Sequence, residues 1–151
     1  MHKEAMFGGG CFWGVQAIFD KVAGVVFTEV GYAGGTVPHP SYEQVCSGKT
    51  GHAEVVHLRY DSQKVRYEKL LDIFFENHDP TTLDRQGPDV GHQYRSVIFT
   101  YDEAQEKTAR NFIERLQQSE TFQRPIVTKV QPAVEFFRAE EYHQNYLCKN
   151  R

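Results

Sequence analysis

Gly8-Gly9-Gly10-Cys11-Phe12-Trp13-Gly14 marks a change of backbone period, and that change decides the fold class. Residues near 3–8 read as a strand. After the glycines, Val15, Ile18, Phe19 and Val22 fall at helical spacing and, with Cys11, form one apolar stripe. A second strand is expected near 25–33. Strand, glycine turn, helix and strand in short order predict helices packed on a sheet. The run of glycines permits a tight turn and a close approach of a ligand to the backbone.

The same stretch places one thiol in the expected first turn of the helix, where backbone N–H groups lack intrahelical partners and the dipole favours an anion. Cys11 is therefore expected to have a lowered pKa and to act as a nucleophilic thiolate. Trp13 lies off the apolar stripe, on the side shared with Gln16 and Asp20, and reads as a pocket wall. A small buried thiol with a peripheral tryptophan is the alternative that this stripe alone leaves open.

Further along, Ala53 to Tyr60 alternates as a strand. Tyr67, Leu70, Leu71, Phe74, Phe75 and His78 recur as an amphipathic helix within 61–78, with Pro80 just past its end. Arg95 to Tyr101 reads as a strand. Asp102 with Gln105 resembles a capping box that opens a helix through Ala109, Phe112, Ile113 and Leu116. A strand near 126–131 and a short helix over 139–147 follow, leaving Cys148 on a mobile end. The expected class is α+β, a two-layer sandwich of helices on a mixed sheet. The segments 34–51 and 79–94 are long, polar and rich in glycine and proline, as functional loops are.

With 151 residues and no repeat or linker, the chain is expected to be a single catalytic domain. Its 17 basic and 20 acidic residues give a net charge of -3, with no basic stripe for nucleic acid and no polybasic membrane anchor. No apolar run is long enough to span a membrane and no signal peptide is recognised, so a cytoplasmic protein is expected. A monomer is expected as well. Cys11, Cys46 and Cys148 are too few and too far apart for a disulfide scaffold or a CxxC zinc site.

The middle strand carries the second candidate group. In Gly51-His52-Ala53-Glu54-Val55-Val56, Glu54 shares a strand face with Val56, Leu58 and Tyr60. A carboxyl on an apolar face has its pKa raised by desolvation, which suits a general acid near neutrality. A solvated or arginine-paired carboxylate is the other possibility. The loops add Tyr42, in Ser41-Tyr42-Glu43-Gln44-Val45-Cys46, and Asp89 and Tyr94, in Gly87-Pro88-Asp89-Val90-Gly91-His92-Gln93-Tyr94-Arg95. Phenols donate hydrogen bonds without charge at neutral pH. A nucleophile, an acid and neutral donors suit attack by sulfur on a polarised X=O group whose oxygen leaves as water.

The GGGCFWG stretch, the GHAEVV strand start, the GPDVGHQYRS loop and the AEEYHQNY element together resemble the A-type peptide methionine sulfoxide reductases, in the same order and over nearly the whole chain. The resemblance implies a ferredoxin-like fold and reduction of methionine S-sulfoxide, free or in proteins. It implies that Cys11 attacks the sulfoxide sulfur, that Glu54 is the acid, and that Tyr42 and Tyr94 bond the sulfoxide oxygen. Phe12 and Trp13 correspond to the walls for the S-methyl group, and Asp89 to an aspartate of the substrate pocket. Cys11 then becomes a sulfenic acid. No cofactor is bound; the reductant is external, with thioredoxin expected. Many relatives carry the resolving cysteine in a glycine-rich tail beyond EYHQNY, and Cys148 is the candidate here. Cys46 reads as structural.

Two other enzyme classes compete. His52 and Glu54, completed by His92 or His143, could form a mononuclear iron site. Cys11 with a histidine base could form a thiol hydrolase.

Overall fold

The computed structural model describes residues 2–149, without the side chains of the last two of these. β1 (His2–Gly8), α1 (Phe12–Asp20), β2 (Val25–Ala33), α2 (Tyr42–Cys46), β3 (Ala53–Asp61) and α3 (Tyr67–Glu76) come first. A short hairpin of β4 (Arg85–Gln86) and β5 (Asp89–Val90) leads to a 3-10 turn at His92–Tyr94 and β6 (Val97–Thr100). α4 (Glu103–Gln118), β7 (Lys129–Pro132), β8 (Phe137–Arg138), a 3-10 turn at Glu141–His143 and α5 (Tyr146–Lys149) complete the chain.

The main sheet has the order β7-β6-β1-β3-β2-β8. It is mixed, because β6 and β7 run parallel whereas the other neighbouring pairs are antiparallel. Its inner strands, β6-β1-β3-β2, with α1 and α3 against one face, form the expected ferredoxin-like arrangement. Alternation assigns the faces. Phe7, Val56, Leu58 and Ile98 point into the helical layer with Phe19, Leu70, Leu71 and Phe74. Met6, Ala53, Val55, Val97 and Phe99 form a smaller cluster on the other face, closed by Ala133 and Phe136. α4 joins the helical layer through Phe112, which stacks on Phe75 at 5.6 Å between ring centroids.

Several expectations about elements change. The strand expected at Arg95–Tyr101 is Val97–Thr100, and the helix expected over 139–147 divides into a 3-10 turn and α5. The 34–51 segment is not all loop. Ser41 caps α2 by accepting from Gln44 N at 3.1 Å, while the Gln44 side chain accepts from Ser41 N at 2.9 Å, a reciprocal pair that stabilises so short a helix. No helix among the described residues is long and apolar enough to cross a membrane.

Candidate active site

At the end of β1 the chain turns through Gly10, whose φ of +94° only glycine adopts readily and whose N–H donates to Tyr94 O at 3.1 Å. Cys11 follows as the N-cap of α1, in extended conformation rather than in the first turn. The N–H groups of Trp13 and Gly14 lie near its sulfur and favour the anion, but burial outweighs them and pushes the thiol up to about 11. The charges of Glu54 and Asp89 push the same way. The expected low-pKa thiolate is thus corrected: the dipole is present, but desolvation of a half-buried sulfur is the larger effect.

Glu54 lies on β3, a strand paired on both edges. It is 1 % exposed. Its Oε1 accepts from Phe12 N at 3.2 Å, which ties it to the residue after Cys11, and its Oε2 has no partner among the described residues. Burial holds this carboxyl up to about 7, against the lowering effect of the Phe12 N–H and with help from the Asp89 charge. Near neutrality it can therefore be an O–H donor whose one free oxygen awaits an acceptor.

The phenols surround this pair. Tyr94 is pushed up to about 12, chiefly by burial and next by the charge of Glu54. Burial likewise raises Tyr42, whose hydroxyl lies within hydrogen-bond reach of the Cys46 thiol. Both remain neutral donors across physiological pH. Asp89 lies in β5, near enough for its charge to act on Cys11, Glu54 and Tyr94. Cys46, read from sequence as structural, is exposed at the end of α2.

The side of α1 read as polar is covered. Gln16 is buried, its Nε2 donating to Thr28 Oγ1 at 3.1 Å and its Oε1 accepting from Asn145 N at 2.8 Å. Trp13 stacks on Tyr146 with ring centroids 3.8 Å apart and donates from Nε1 to His143 Nδ1 at 2.9 Å. Accepting that bond leaves the proton of neutral His143 on Nε2, and burial pushes the ring below its ordinary pKa. The Phe12 ring has no exposed surface and packs against Tyr32, Tyr42 and His143, so it backs the site while Trp13 remains partly exposed. The Cys148 side chain lies outside the described residues.

Within 139–146 the sequence singles out only His143, as a candidate iron ligand, and gives no role to Glu140 or Gln144. Glu140 accepts from Tyr32 Oη and from Tyr42 N, each at 3.0 Å. Gln144 accepts from Val30 N at 2.9 Å and donates to Val30 O at 2.9 Å and to Ala139 O at 3.0 Å. This segment fastens the end of the chain to β2 and fixes where Tyr42 begins α2. Only the AEEYHQNY pattern signalled it. Glu140→Ala is expected to lower the unfolding free energy by about 1–3 kcal/mol, since two donors lose their acceptor. Urea denaturation checks this, with Glu140→Gln, which keeps one acceptor oxygen, losing less.

The iron alternative is not supported by the placement of its ligands. His52 accepts from Gly35 N at 3.0 Å and lies 2.6 Å from Val37 O through Nε2, so both ring nitrogens are committed to the loop backbone. His92 Nδ1 faces Asp84 at 2.9 Å. Among the described residues no group of three His, Cys, Asp or Glu side chains is placed to hold a metal ion.

A family model described as peptide methionine sulfoxide reductase matches residues 3–151. The chain belongs to that family. The peptide methionine sulfoxide reductase MsrA of Methanoculleus marisnigri is 57 % identical over 147 residues, covering 97 % of this chain and 90 % of the relative. Reduced Mxr1 of Saccharomyces cerevisiae superposes with a TM-score of 0.92 at 39 % identity, over 99 % of this chain and 86 % of that one. A structure of Mxr1 in complex with Trx2 matches with a TM-score of 0.68 at 26 % identity, over 96 % of this chain and 84 % of that one. This peptide methionine sulfoxide reductase is accordingly an oxidoreductase that reduces methionine sulfoxide, and its fold is that of its family.

Proposed function

We propose that Cys11 and Glu54 form the reacting pair for methionine S-sulfoxide. The supporting observation is the buried Glu54 carboxyl, held near neutral pKa with Oε2 unpartnered and its other oxygen tied to the residue next to Cys11. Protonated Glu54 donates to the sulfoxide oxygen, with Tyr42 and Tyr94 as further donors, and so makes the sulfoxide sulfur electrophilic. Cys11 Sγ attacks that sulfur as its own proton passes to the Glu54 carboxylate. Oxygen then transfers to Cys11, methionine leaves, and the products are methionine and a sulfenic acid: the methionine sulfur is reduced by two electrons and the cysteine sulfur oxidised by two. A resting thiol suits this scheme because the proton that Cys11 releases restores the acid.

Trp13 flanks the S-methyl group, Phe12 backs that wall, and Asp89 borders the substrate. Attack by the Cys148 thiol on the sulfenic acid would release water and form a disulfide, which a thioredoxin-type dithiol of the cytoplasm reduces. The complex of yeast Mxr1 with Trx2 supports that choice of reductant.

A single-turnover assay with separated S and R epimers of a methionine sulfoxide peptide, followed by intact-mass measurement, tests the reading. Methionine is expected from the S epimer alone, with a protein mass loss of about 2 Da for a disulfide that Cys148→Ser converts into a gain of about 16 Da. Methionine formation without any oxidation of the protein would overturn the scheme.

A further inference from the structure

Beyond the reductase site lies a cavity of about 390 Å³, a volume within the range of small-molecule sites. None of Cys11, Tyr42, Glu54, Asp89 or Tyr94 lines it. Its walls include Gly34 and Thr36 after β2, Asp84 and His92, Arg95 just beyond the 3-10 turn, and Lys129 of β7. The site faces the other side of the sheet. A Cβ built on Gly34 would lie 2.9 Å from Phe99 Cζ and 3.0 Å from Arg95 Nη2, and Phe99 belongs to the cluster on the face opposite Glu54.

Arg95 is the group this cavity leaves unexplained. Its side chain is half-buried, and its one described hydrogen bond runs from Nη1 to His92 O at 3.1 Å. Among the described residues no carboxylate forms an ion pair with Arg95 or with Lys129. Asp84 is the only acidic residue of the wall, and its Oδ1 is taken by His92 Nδ1. Burial pushes the guanidinium below its ordinary pKa, partly offset by the Asp84 charge. Withdrawing a cation from water without a directly paired carboxylate is costly. Gly34, at φ +90°, leaves room for the guanidinium against its backbone. None of the Arg95 nitrogens is both buried and unpartnered, so its remaining donors keep contact with solvent, and Arg95 is part of the cavity wall.

We propose that this cavity is a binding site for a phosphate-like oxyanion, held by the Arg95 guanidinium and the Lys129 ammonium and separate from the site of sulfoxide reduction. The guanidinium offers paired N–H groups in one plane, and the ammonium offers a point charge from a different element. A tetrahedral oxyanion can present oxygens to both, whereas the Arg95 fork alone would saturate a carboxylate. Two positive charges against one committed carboxylate favour an anion here. Inorganic phosphate and a phosphate monoester share this chemistry.

Heteronuclear NMR of the full chain, titrated with inorganic phosphate in one arm and phosphoserine in the other at constant ionic strength, tests the site. Saturable amide shifts are expected at 34–36, 92–95 and 129 in at least one arm; a stronger response to phosphate identifies a free anion, and a stronger response to phosphoserine a monoester. Arg95→Lys, which keeps the charge but not the fork, should raise the half-saturation concentration about tenfold or more. Lys129→Gln, at an exposed position, should raise it severalfold while leaving sulfoxide reduction unchanged. Shifts that do not saturate, or that centre on Cys11 and Glu54, overturn the site. So does half-saturation unchanged in Lys129→Gln, which decides the matter if Arg95→Lys does not fold.

Discussion

Cys11→Ser is expected to abolish methionine sulfoxide reduction while the fold persists. In the proposed scheme the electrons that reduce the sulfoxide come from the sulfur of Cys11, and a serine oxygen cannot give them up to form an equivalent of the sulfenic acid. Turnover should therefore drop by on the order of 10⁴ or more, to the uncatalysed background. Stability should behave differently. Residue 11 is an N-cap in extended conformation without a side-chain cap bond, and serine is a preferred residue at such a position. Thermal unfolding should thus show a midpoint that holds or rises slightly. Methionine produced by the folded serine variant at the wild-type rate would remove Cys11 from the reaction.

Glu54→Gln is expected to slow the first chemical step by about 10²–10⁴-fold near pH 6, the span of a general acid. Glutamine can offer an N–H to the sulfoxide oxygen but no proton. The Glu54 carboxyl is held up to about 7, so the rate advantage of wild type should shrink as pH rises through that value and the carboxyl ionises. Stability moves in the matching direction. A carboxyl whose native pKa lies above its unfolded one binds more protons folded than unfolded, so its contribution to stability falls as pH rises from about 4.5 through about 7. The glutamine variant lacks this loss. Relative to wild type it should gain on the order of 1–3 kcal/mol on going from pH 4 to pH 8. Single-turnover rates and denaturation at several pH values check both halves, and parallel pH profiles for the two proteins would exclude Glu54 as the titrating acid.

What could be read from sequence was whatever depends on short-range period. The β1–α1–β2 order, the alternation that buries Glu54 and the spacing of α3 are local patterns, and each appears in the fold. What could not be read depends on contacts between distant segments. The Gln16 side of α1 is polar by composition yet buried, because residues 143–146 return to cover it. The Cys11 pKa follows the same logic: the helix dipole is visible in sequence, whereas the desolvation that overrides it arises from packing. α2, at five residues, and the two-residue strands β4, β5 and β8 are too short to show a period. Ser41 and Gln44 nevertheless carried a helix-start signature that names α2 without one.

Glu54 rides on a strand hemmed in on both sides, whereas Tyr42, Asp89 and Tyr94 sit on α2, β5 and a 3-10 turn, short elements set between the long strands and helices. A lineage carrying this architecture can therefore vary those short elements while the proposed proton donor keeps the burial that is the main cause of its raised pKa. The burial of that carboxyl is inherited with the scaffold, and the residues facing it are free to drift.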